Sequence, residues 1–569
     1  MQSEQKQKHY TKAIIILLVI LSAFAAITKI FIGVDVDEGY AVSMPYRLLQ
    51  GDKLFLDMWE IHQTSSILPY LFIWIFVKIT GGNTGIVLYL RIVSTVIHLA
   101  FSIWVYKELS SKISREWSAL GAVLYFNFLP KWLMNLDFSM QLIWGMTAML
   151  FLLNKKKMES QALFLAGISL AMTVLGYPSM AVLYPFALWI IWKYHDKSWK
   201  KMVAFTFGCG ICAVLFLGYI FSYMSPKELI ESIPYVFSDG SHQFDMATKW
   251  GLFFKRWLEA AVQAAVLLVP TCTVLTLCKL IAKKRVVEKE HYYYLFLLAF
   301  MLFSSFIVIF ANVVGISWGP FRLQVRYLVL FIMAFFLGKN RALDKGFRDS
   351  KKMRDYLLIG TLVAFAGILL ASNVGPVSSS SYLVLGILGL VLFIYQYQKA
   401  VNIKHGEVIS YLVVSVFILS LIFCKGYYVR VSEYPPANIL EAREQVTFGP
   451  LKGIYVYEED LRRAADFYEV IKDGEEERLL LLSTEGIYNL HSNGTYVIPT
   501  TISTPAFNEQ WVEYFELHKD KMPTRIIIGK NTIDNLDKFF ANNPLGIWIG
   551  ENYSIESRKE DEYLCVIQK

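Results

Sequence analysis

Along residues 1–424, long apolar runs alternate with short polar loops. From Lys425 onward the pattern changes to short apolar runs set between amphipathic stretches. A helix needs about 20 apolar residues to cross a hydrocarbon core of about 30 Å. The runs predict thirteen crossings, several of them short, near 13–33, 86–106, 117–133, 138–153, 161–176, 179–194, 201–224, 258–281, 291–313, 322–338, 356–372, 381–397 and 408–424. In the tail, β-like runs at Gly453–Val456, Arg478–Leu482, Thr524–Gly529 and Gly546–Gly550 alternate with helical patterns at 457–472, 506–518 and 532–541, an α/β arrangement. Asn531 or Thr532 is the expected cap of the third helix, Pro544 lies beyond its end, and Ser554–Gln568 reads as a hairpin. The expected organisation is a polytopic helical membrane domain, 1–424, followed by an extracytoplasmic α/β domain, 425–569.

Composition agrees with this pattern. Of 569 residues, 55% are apolar and 18% charged, and mean hydropathy is +0.43. A soluble chain carries about 25% charged residues. The 87 Phe, Tyr and Trp residues suit aromatic belts at a bilayer surface. These values exclude a soluble enzyme, a disordered chain and a small disulfide scaffold. The six cysteines are scattered, with only Cys565 deep in the tail and Cys424 at its membrane edge, so no disulfide framework is expected.

Charge sets the expected topology. Residues 1–424 hold 39 Lys+Arg against 23 Asp+Glu, and residues 425–569 hold 16 against 24. Basic loops lie at 107–116, 154–160, 193–201, 279–290, 339–355 and 396–407, together with the basic N-terminus. They share one side only if the stretch 64–80, with Pro69 inside it, does not cross, so it reads as interfacial or re-entrant. The N-terminus is then cytoplasmic. Residues 34–63, the turn at 135–137, the loop 225–257 and the tail face outside. Ala23-Phe24-Ala25 offers a cleavage-like site, but the apolar run continues to Val34. The first segment therefore reads as an uncleaved anchor, with Lys29 reaching the interface. The outer tail poor in cysteine and the lack of eukaryotic targeting signals point to a bacterial plasma membrane. No soluble basic face interleaved with aromatics exists, so no nucleic-acid partner is expected.

Chemistry concentrates in the first outer loop. Asp35, Asp37, Glu38, Asp52, Asp57 and Glu60 fall within 26 residues, with His62 close by. Asp37 and Glu38 directly follow a membrane helix, where a carboxylate is costly unless hydrated or paired. The acids are interleaved with Tyr40, Tyr46, Phe55 and Trp59, as in an amphipathic segment lying on a membrane surface. Asp137, in a tight outer turn, is both a candidate site acid and a candidate N-cap for the next helix. Glu60 and His62 are two potential ligands for a divalent cation (Mg, Mn or Zn), too few to define a site, and no cofactor is required. The tail carries no Gly-rich phosphate loop, metal-spaced His/Cys set or nucleophile elbow, and reads as a recognition or lid domain. Asn493-Gly494-Thr495 fits a glycosylation sequon, but a lone match of this kind is more often a plain turn.

The Asp37-Glu38 pair after the first crossing, the run Tyr46-Arg47-Leu48-Leu49-Gln50-Gly51-Asp52, and the acid-containing segment before a Pro-bearing apolar stretch resemble the GT-C superfamily of membrane glycosyltransferases. The similarity is greatest to its protein O-mannosyltransferase and aminoarabinose transferase branch. Local likeness is confined to about residues 30–80, 130–145 and 320–335. The resemblance implies a polyprenyl-phosphate sugar donor, a hydroxyl-bearing acceptor (lipid, wall polymer or protein), and contact with membrane lipid. It implies Asp37 as catalytic base, Asp137 as the second acid, Glu60 as the acid that binds metal in some relatives, and Arg326-Tyr327 as the Arg-Tyr opening a late crossing. Two departures stand out: Ile61-His62-Gln63 replaces a Lys-Pro that follows the acid in relatives, and Tyr177 falls where some relatives carry a phosphate-binding Lys.

A carboxylate in reach of the acceptor hydroxyl suffices as general base, and the leaving phosphate needs cationic groups rather than a dedicated acid. The expected transfer is inverting. Asp37 is the base, Glu38 or Asp137 orients the acceptor or an ion, and Arg322 and Arg326 hold the phosphate. Tyr327, Tyr177 and Tyr40 are further substrate contacts. The competing functions are a transporter or flippase of a lipid-linked saccharide, and a polysaccharide polymerase or ligase.

Overall fold

The computed structural model describes residues 2–130, 135–155, 158–236, 246–281, 289–314, 324–337, 348–371, 375–401, 406–429, 437–472, 477–492, 494–501 and 507–568. Its membrane part comprises α1 (Gln2–Phe31), α2 (Val36–Leu49), α3 (Ile67–Thr80), α4 (Ile86–Ser110), α5 (Arg115–Asn127), α6 (Phe138–Leu153), α7 (Glu159–Gly176), α8 (Leu183–Tyr194), α9 (Trp199–Ile220), α10 (Pro226–Val236), α11 (Met246–Ile281), α12 (Lys289–Val313), α13 (Val325–Leu337), α14 (Arg348–Ala371), α15 (Val384–Val401) and α16 (Gly406–Tyr427). A helix thus stands at every expected crossing. Eight of the described helices are long and apolar enough to span a membrane, and nine if Pro376–Tyr382 and α15, bent by 70°, count as one span. The chain is a multi-pass membrane protein. α3 has 14 residues, about 21 Å of helix, and is about as short as α5 and α8.

Small residues set the closest helix contact. A Cβ on Gly167 of α7 would lie 2.1 Å from the Phe205 carbonyl oxygen, and one on Gly208 of α9 would lie 2.1 Å from that of Phe164. Backbones approach this closely in membranes only through such residues.

In the tail, α17 (Glu458–Ile471), α18 (Glu509–Leu517), α19 (Leu536–Asn542) and α20 (Pro544–Asn552) accompany nine short strands. β1 (Tyr428–Val429) pairs with β2 (Ala437–Asn438), and β3 (Glu444–Gln445) with β4 (Tyr455–Val456). The main sheet runs β6-β5-β7-β9-β8, from β5 (Arg478–Leu482), β6 (Thr495–Tyr496), β7 (Arg525–Gly529), β8 (Lys559–Glu560) and β9 (Leu564–Gln568). β5 is parallel to both neighbours, and Leu479–Leu482 and Ile526–Ile528 are buried, the uninterrupted apolar runs expected of central strands covered on both faces. The expected terminal hairpin is present as β8–β9.

Two local expectations are corrected. Gly546–Gly550 is helical, not a strand. Pro544 occupies the first turn of α20, and the Asn543 side chain accepts from the backbone N–H groups of Leu545 (3.0 Å) and Gly546 (3.3 Å). The β-branched and aromatic run is outweighed by this cap. The third tail helix, α19, is capped by Asn535, whose side chain accepts from Lys538 N–H, rather than by Asn531 or Thr532.

The tail is docked on the stretch between α1 and α4. Gly33 N–H donates to Tyr455 O (2.8 Å), Trp59 N–H to Pro499 O (2.9 Å) and Gly85 N–H to Gly449 O (3.0 Å). Ser43 Oγ donates to Gly486 O (2.6 Å) and Asn83 Nδ2 to Leu490 O (2.5 Å). α2 meets the tail backbone to backbone: a Cβ on Gly39 would sit 2.5 Å from Ile487 N. Gly39→Ala is therefore expected to lower stability by about 1–3 kcal/mol, read as a lower Tm of the detergent-purified chain. Gly82→Ala, whose Cβ meets nothing within 4 Å, is the control. Equal Tm values for the two variants would remove the close-contact argument.

Candidate functional site

The site is organised by α2, a helix with three charged residues, Asp37, Glu38 and Arg47, and covered by protein on most of its surface. Its N-cap is Asp35, whose Oδ1 accepts from Asp37 N–H at 3.1 Å. Next to it, Glu38 is 1% exposed and holds Arg91 of α4 through two bonds, Nε to Oε1 (2.6 Å) and Nη2 to Oε2 (2.5 Å). The same guanidinium donates to the Gly33 (2.6 Å) and Ile30 (3.1 Å) carbonyls, so it ties the end of α1 to the start of α2. Glu38 is thereby held in a buried ion pair with Arg91.

A second arginine fixes the other end. Arg47 donates to Asp52 (2.7 Å), Glu60 (3.1 Å), Asp57 O (2.9 Å) and Ile498 O of the tail (2.8 Å). Lys521 of the tail reaches Asp52 (2.7 Å) and Asp57 (2.8 Å). Glu60 also accepts from the backbone N–H (2.9 Å) and hydroxyl of Thr501, and from the Tyr40 hydroxyl. Burial pushes the Glu60 carboxyl up to about 6, against the pull of Arg47 and Thr501. The expected surface segment is thus enclosed between bundle and tail. Of the six acids in the loop, five are buried, and Asp37 alone keeps partial exposure.

His62 stacks on Phe138 with ring centroids 3.9 Å apart, and Tyr177 lies 5.2 Å from the same His62 ring. Tyr177 is also 6.3 Å from Tyr382, whose hydroxyl bonds Ser139 Oγ at 2.9 Å. Thr64 Oγ1 donates to Leu175 O (2.6 Å) and Gln141 Nε2 to Ser65 O (2.8 Å). The first loop, the start of α6 and the end of α7 therefore meet in one aromatic cluster. Asp137, one residue before Phe138, caps α6 by accepting from Met140 N–H at 2.9 Å, as expected. On the opposite side, Trp59 stacks on Tyr235 of α10 at 4.4 Å and meets Tyr514 of the tail edge-on at 5.1 Å.

The two expected metal ligands do not converge. Glu60 faces Arg47 and Thr501 while His62 packs on Phe138, and among the described residues no group of three His, Cys, Asp or Glu side chains could hold an ion. Arg326 is fully buried at the start of α13. It donates to Ser420 Oγ (2.8 Å) and the Tyr327 hydroxyl (3.1 Å), and its guanidinium lies over the rings of Tyr327 and Phe417. Arg322 and Asn493 lie outside the described residues.

Sequence reasoning passed over Arg91, although a charge inside the apolar run of α4 is itself a signal. It also misplaced Lys29, which does not reach an interface but is turned inward, 2% exposed. Lys425 and the tail partners Thr501 and Lys521 had no sequence signal, because their contacts join distant segments.

Residues 64–221, spanning α3 to α9, match the family model for dolichyl-phosphate-mannose-protein mannosyltransferase. The match indicates a membrane glycosyltransferase of the GT-C type, as the resemblance implied. Among solved structures, it is similar to the archaeal oligosaccharyltransferase AglB from Archaeoglobus fulgidus in complex with an inhibitory peptide and a dolichol-phosphate, at 11% identity and a TM-score of 0.44, covering 94% of this chain and 71% of that one. No curated protein matches the chain.

Because the folded-state pKa of Glu60 is raised, its contribution to stability is full below about pH 4.5, the ordinary carboxyl value, and is lost as pH rises through about 6. The loss is about 2 kcal/mol. Glu60→Gln, which mimics the protonated acid, should gain stability relative to the parent as pH rises across that window. Parallel Tm curves from pH 4.5 to 7.5 would contradict the buried-acid assignment.

Proposed function

We propose that the enzyme moves a sugar from a polyprenyl-phosphate donor to an acceptor hydroxyl on the outer face of a plasma membrane, with inversion and with Asp37 as general base. The observation that carries this reading is the exposure pattern of the first loop. Every other acid there is buried, and Asp37 remains accessible at the first turn of α2. The matched family's printed description, with a lipid-phosphate sugar and a protein acceptor, supports the donor class.

In this reading the Asp37 carboxylate takes the hydroxyl proton as the acceptor oxygen forms its bond to the sugar C1. The C1–O bond to phosphate breaks on the opposite face, and its electron pair leaves with the polyprenyl phosphate. Glu38 positions Asp37 by anchoring the first turn of α2 to Arg91. Asp137 lies beside the His62–Phe138–Tyr177 cluster, where it orients the acceptor, and Tyr177 supplies an apolar wall for the sugar or the first isoprene units. Arg326 and Tyr327, with Arg322, meet the charge left on the phosphate. Tyr40, bonded to Glu60, supports the loop and is a substrate contact through its ring. No step is assigned to a divalent ion, since Glu60 and His62 are engaged elsewhere. The orientation follows the basic loops, with the N-terminus cytoplasmic and the tail outside.

The test is sugar transfer by membranes holding equal amounts of the parent and Asp37→Asn chains, supplied with a panel of radiolabelled polyprenyl-phosphate sugars. Transfer by the parent, reduced about 10²–10⁴-fold in Asp37→Asn, is the expected result. Equal transfer by both chains would dismiss Asp37 as the base.

A further inference from the structure

Two of the basic loops, 193–201 and 339–355, bring lysines to one tyrosine. Lys193, in the last turn of α8, holds its Nζ 4.6 Å from the centre of the Trp189 ring and 5.1 Å from that of Tyr194. Lys352, early in α14, holds its Nζ 5.2 Å from the same Tyr194 ring and 5.3 Å from that of Tyr356. The Tyr194 and Tyr356 rings meet edge-on at 5.3 Å. Tyr177 and its aromatic cluster stand before the start of α8, and Lys193 and Tyr194 stand at its end. The cations therefore lie at the opposite end of α8 from the proposed transfer site, on the side that the basic loops assign to the cytoplasm.

Two ammonium groups drawn to one ring repel each other, and the acids of this end are engaged elsewhere. Asp355 accepts from Arg354 (3.0 and 3.2 Å), Asp196 from Lys201 (3.0 Å), and Glu159 from Lys201 (2.5 Å) and His195. Among the described residues no carboxylate forms an ion pair with Lys193. Tyr356 is a second, independent observation. It is 2% exposed, and among the described residues its hydroxyl has no hydrogen-bond partner, although a buried hydroxyl ordinarily finds one. A donor without an acceptor thus stands beside two cations. The cluster also opens outward: Lys193 is exposed, and Trp189 and Trp192 on the same helix are 43% and 46% exposed. Exposed tryptophans at the end of a membrane helix belong at the level of the lipid headgroups.

We propose that Lys193, Lys352 and Tyr356 bind the phosphate headgroup of an anionic glycerophospholipid of the surrounding bilayer. The ammonium groups and the phenol are donors, and a phosphate diester offers acceptor oxygens with the charge that offsets their repulsion. Trp189 and Trp192 supply apolar surface for the glycerol and the first acyl carbons, which favours a lipid over a free anion. Basic pockets between membrane helices on the cytoplasmic side suit such headgroups. A lipid seated here ties the end of α8 to the start of α14. The inference goes beyond the proposed transfer, in which none of these residues takes part.

Thermal unfolding of the detergent-purified full chain tests it, with phosphatidylglycerol, phosphatidylcholine of the same acyl chains, and glycerol 3-phosphate as separate additions. Phosphatidylglycerol is expected to raise the Tm of the parent saturably, and phosphatidylcholine to leave it unchanged. Lys193→Met and Lys352→Met should each raise the half-saturating phosphatidylglycerol concentration about fivefold, and Tyr356→Phe about tenfold. Lys200→Met removes an exposed cation of the same loop and should bind the lipid as the parent does. Equal binding by the parent and the three site variants, equal stabilisation by phosphatidylcholine, or an equal loss in Lys200→Met would overturn the site. Protection by glycerol 3-phosphate equal to that by the lipid at the same concentration would overturn the lipid assignment in favour of a free phosphate ester.

Discussion

Placing the charges of α2 between an apolar bundle and a globular domain demands that the buried ones be answered inside the protein. Two guanidinium groups meet that demand. Arg91 clamps Glu38 and the last carbonyls of the first membrane helix, so the chain must turn into α2 at one angle. Arg47 clamps the far end, drawing Asp52, Glu60 and the tail carbonyl of Ile498 onto one planar group. Each arginine satisfies several acceptors in fixed directions, which lysine could not do in the same geometry. Loss of either arginine would leave a buried carboxylate unpaired, which costs about 3–5 kcal/mol.

The tail follows from the same constraint. It is a wall of the first loop, because the loop's polar groups find their partners in it: Glu60 in Thr501, Asp52 and Asp57 in Lys521, Gln50 in the Gly494 carbonyl. Trp59, Tyr235 and Tyr514 join the loop, α10 and the tail in one aromatic contact. Of the six acids in the loop, this enclosure leaves only Asp37 partly exposed. Movement of the tail would have to break several buried ionic contacts together, so the tail and the loop are held as one unit.

Much of the fold was legible because apolar run length and the change of period at the tail are direct consequences of burial. β5, β7 and α17 are formed by local pattern alone, and they lie where that pattern placed them. Gly546–Gly550 escaped because its residues favour a strand while Asn543 and Pro544, outside the run, start a helix. At the site, Asp137 as a cap was legible from its turn and the residues after it. The surroundings of Glu38, Glu60 and His62 were not, since Arg91, Thr501 and Phe138 come from distant stretches of chain, and no local periodicity records a long-range ion pair or ring stack.

The contrast between paired and unpaired charges separates structure from chemistry in this molecule. Arg47 and Arg91 have carboxylate partners at 2.5–3.1 Å, and their contacts account for their burial. Lys29, Lys425 and Arg326 have none among the described residues, although they are buried to a similar degree. A lysine at a membrane-helix end ordinarily extends to the polar interface, so burying one without an anionic partner is costly. The paired arginines hold α2 in place.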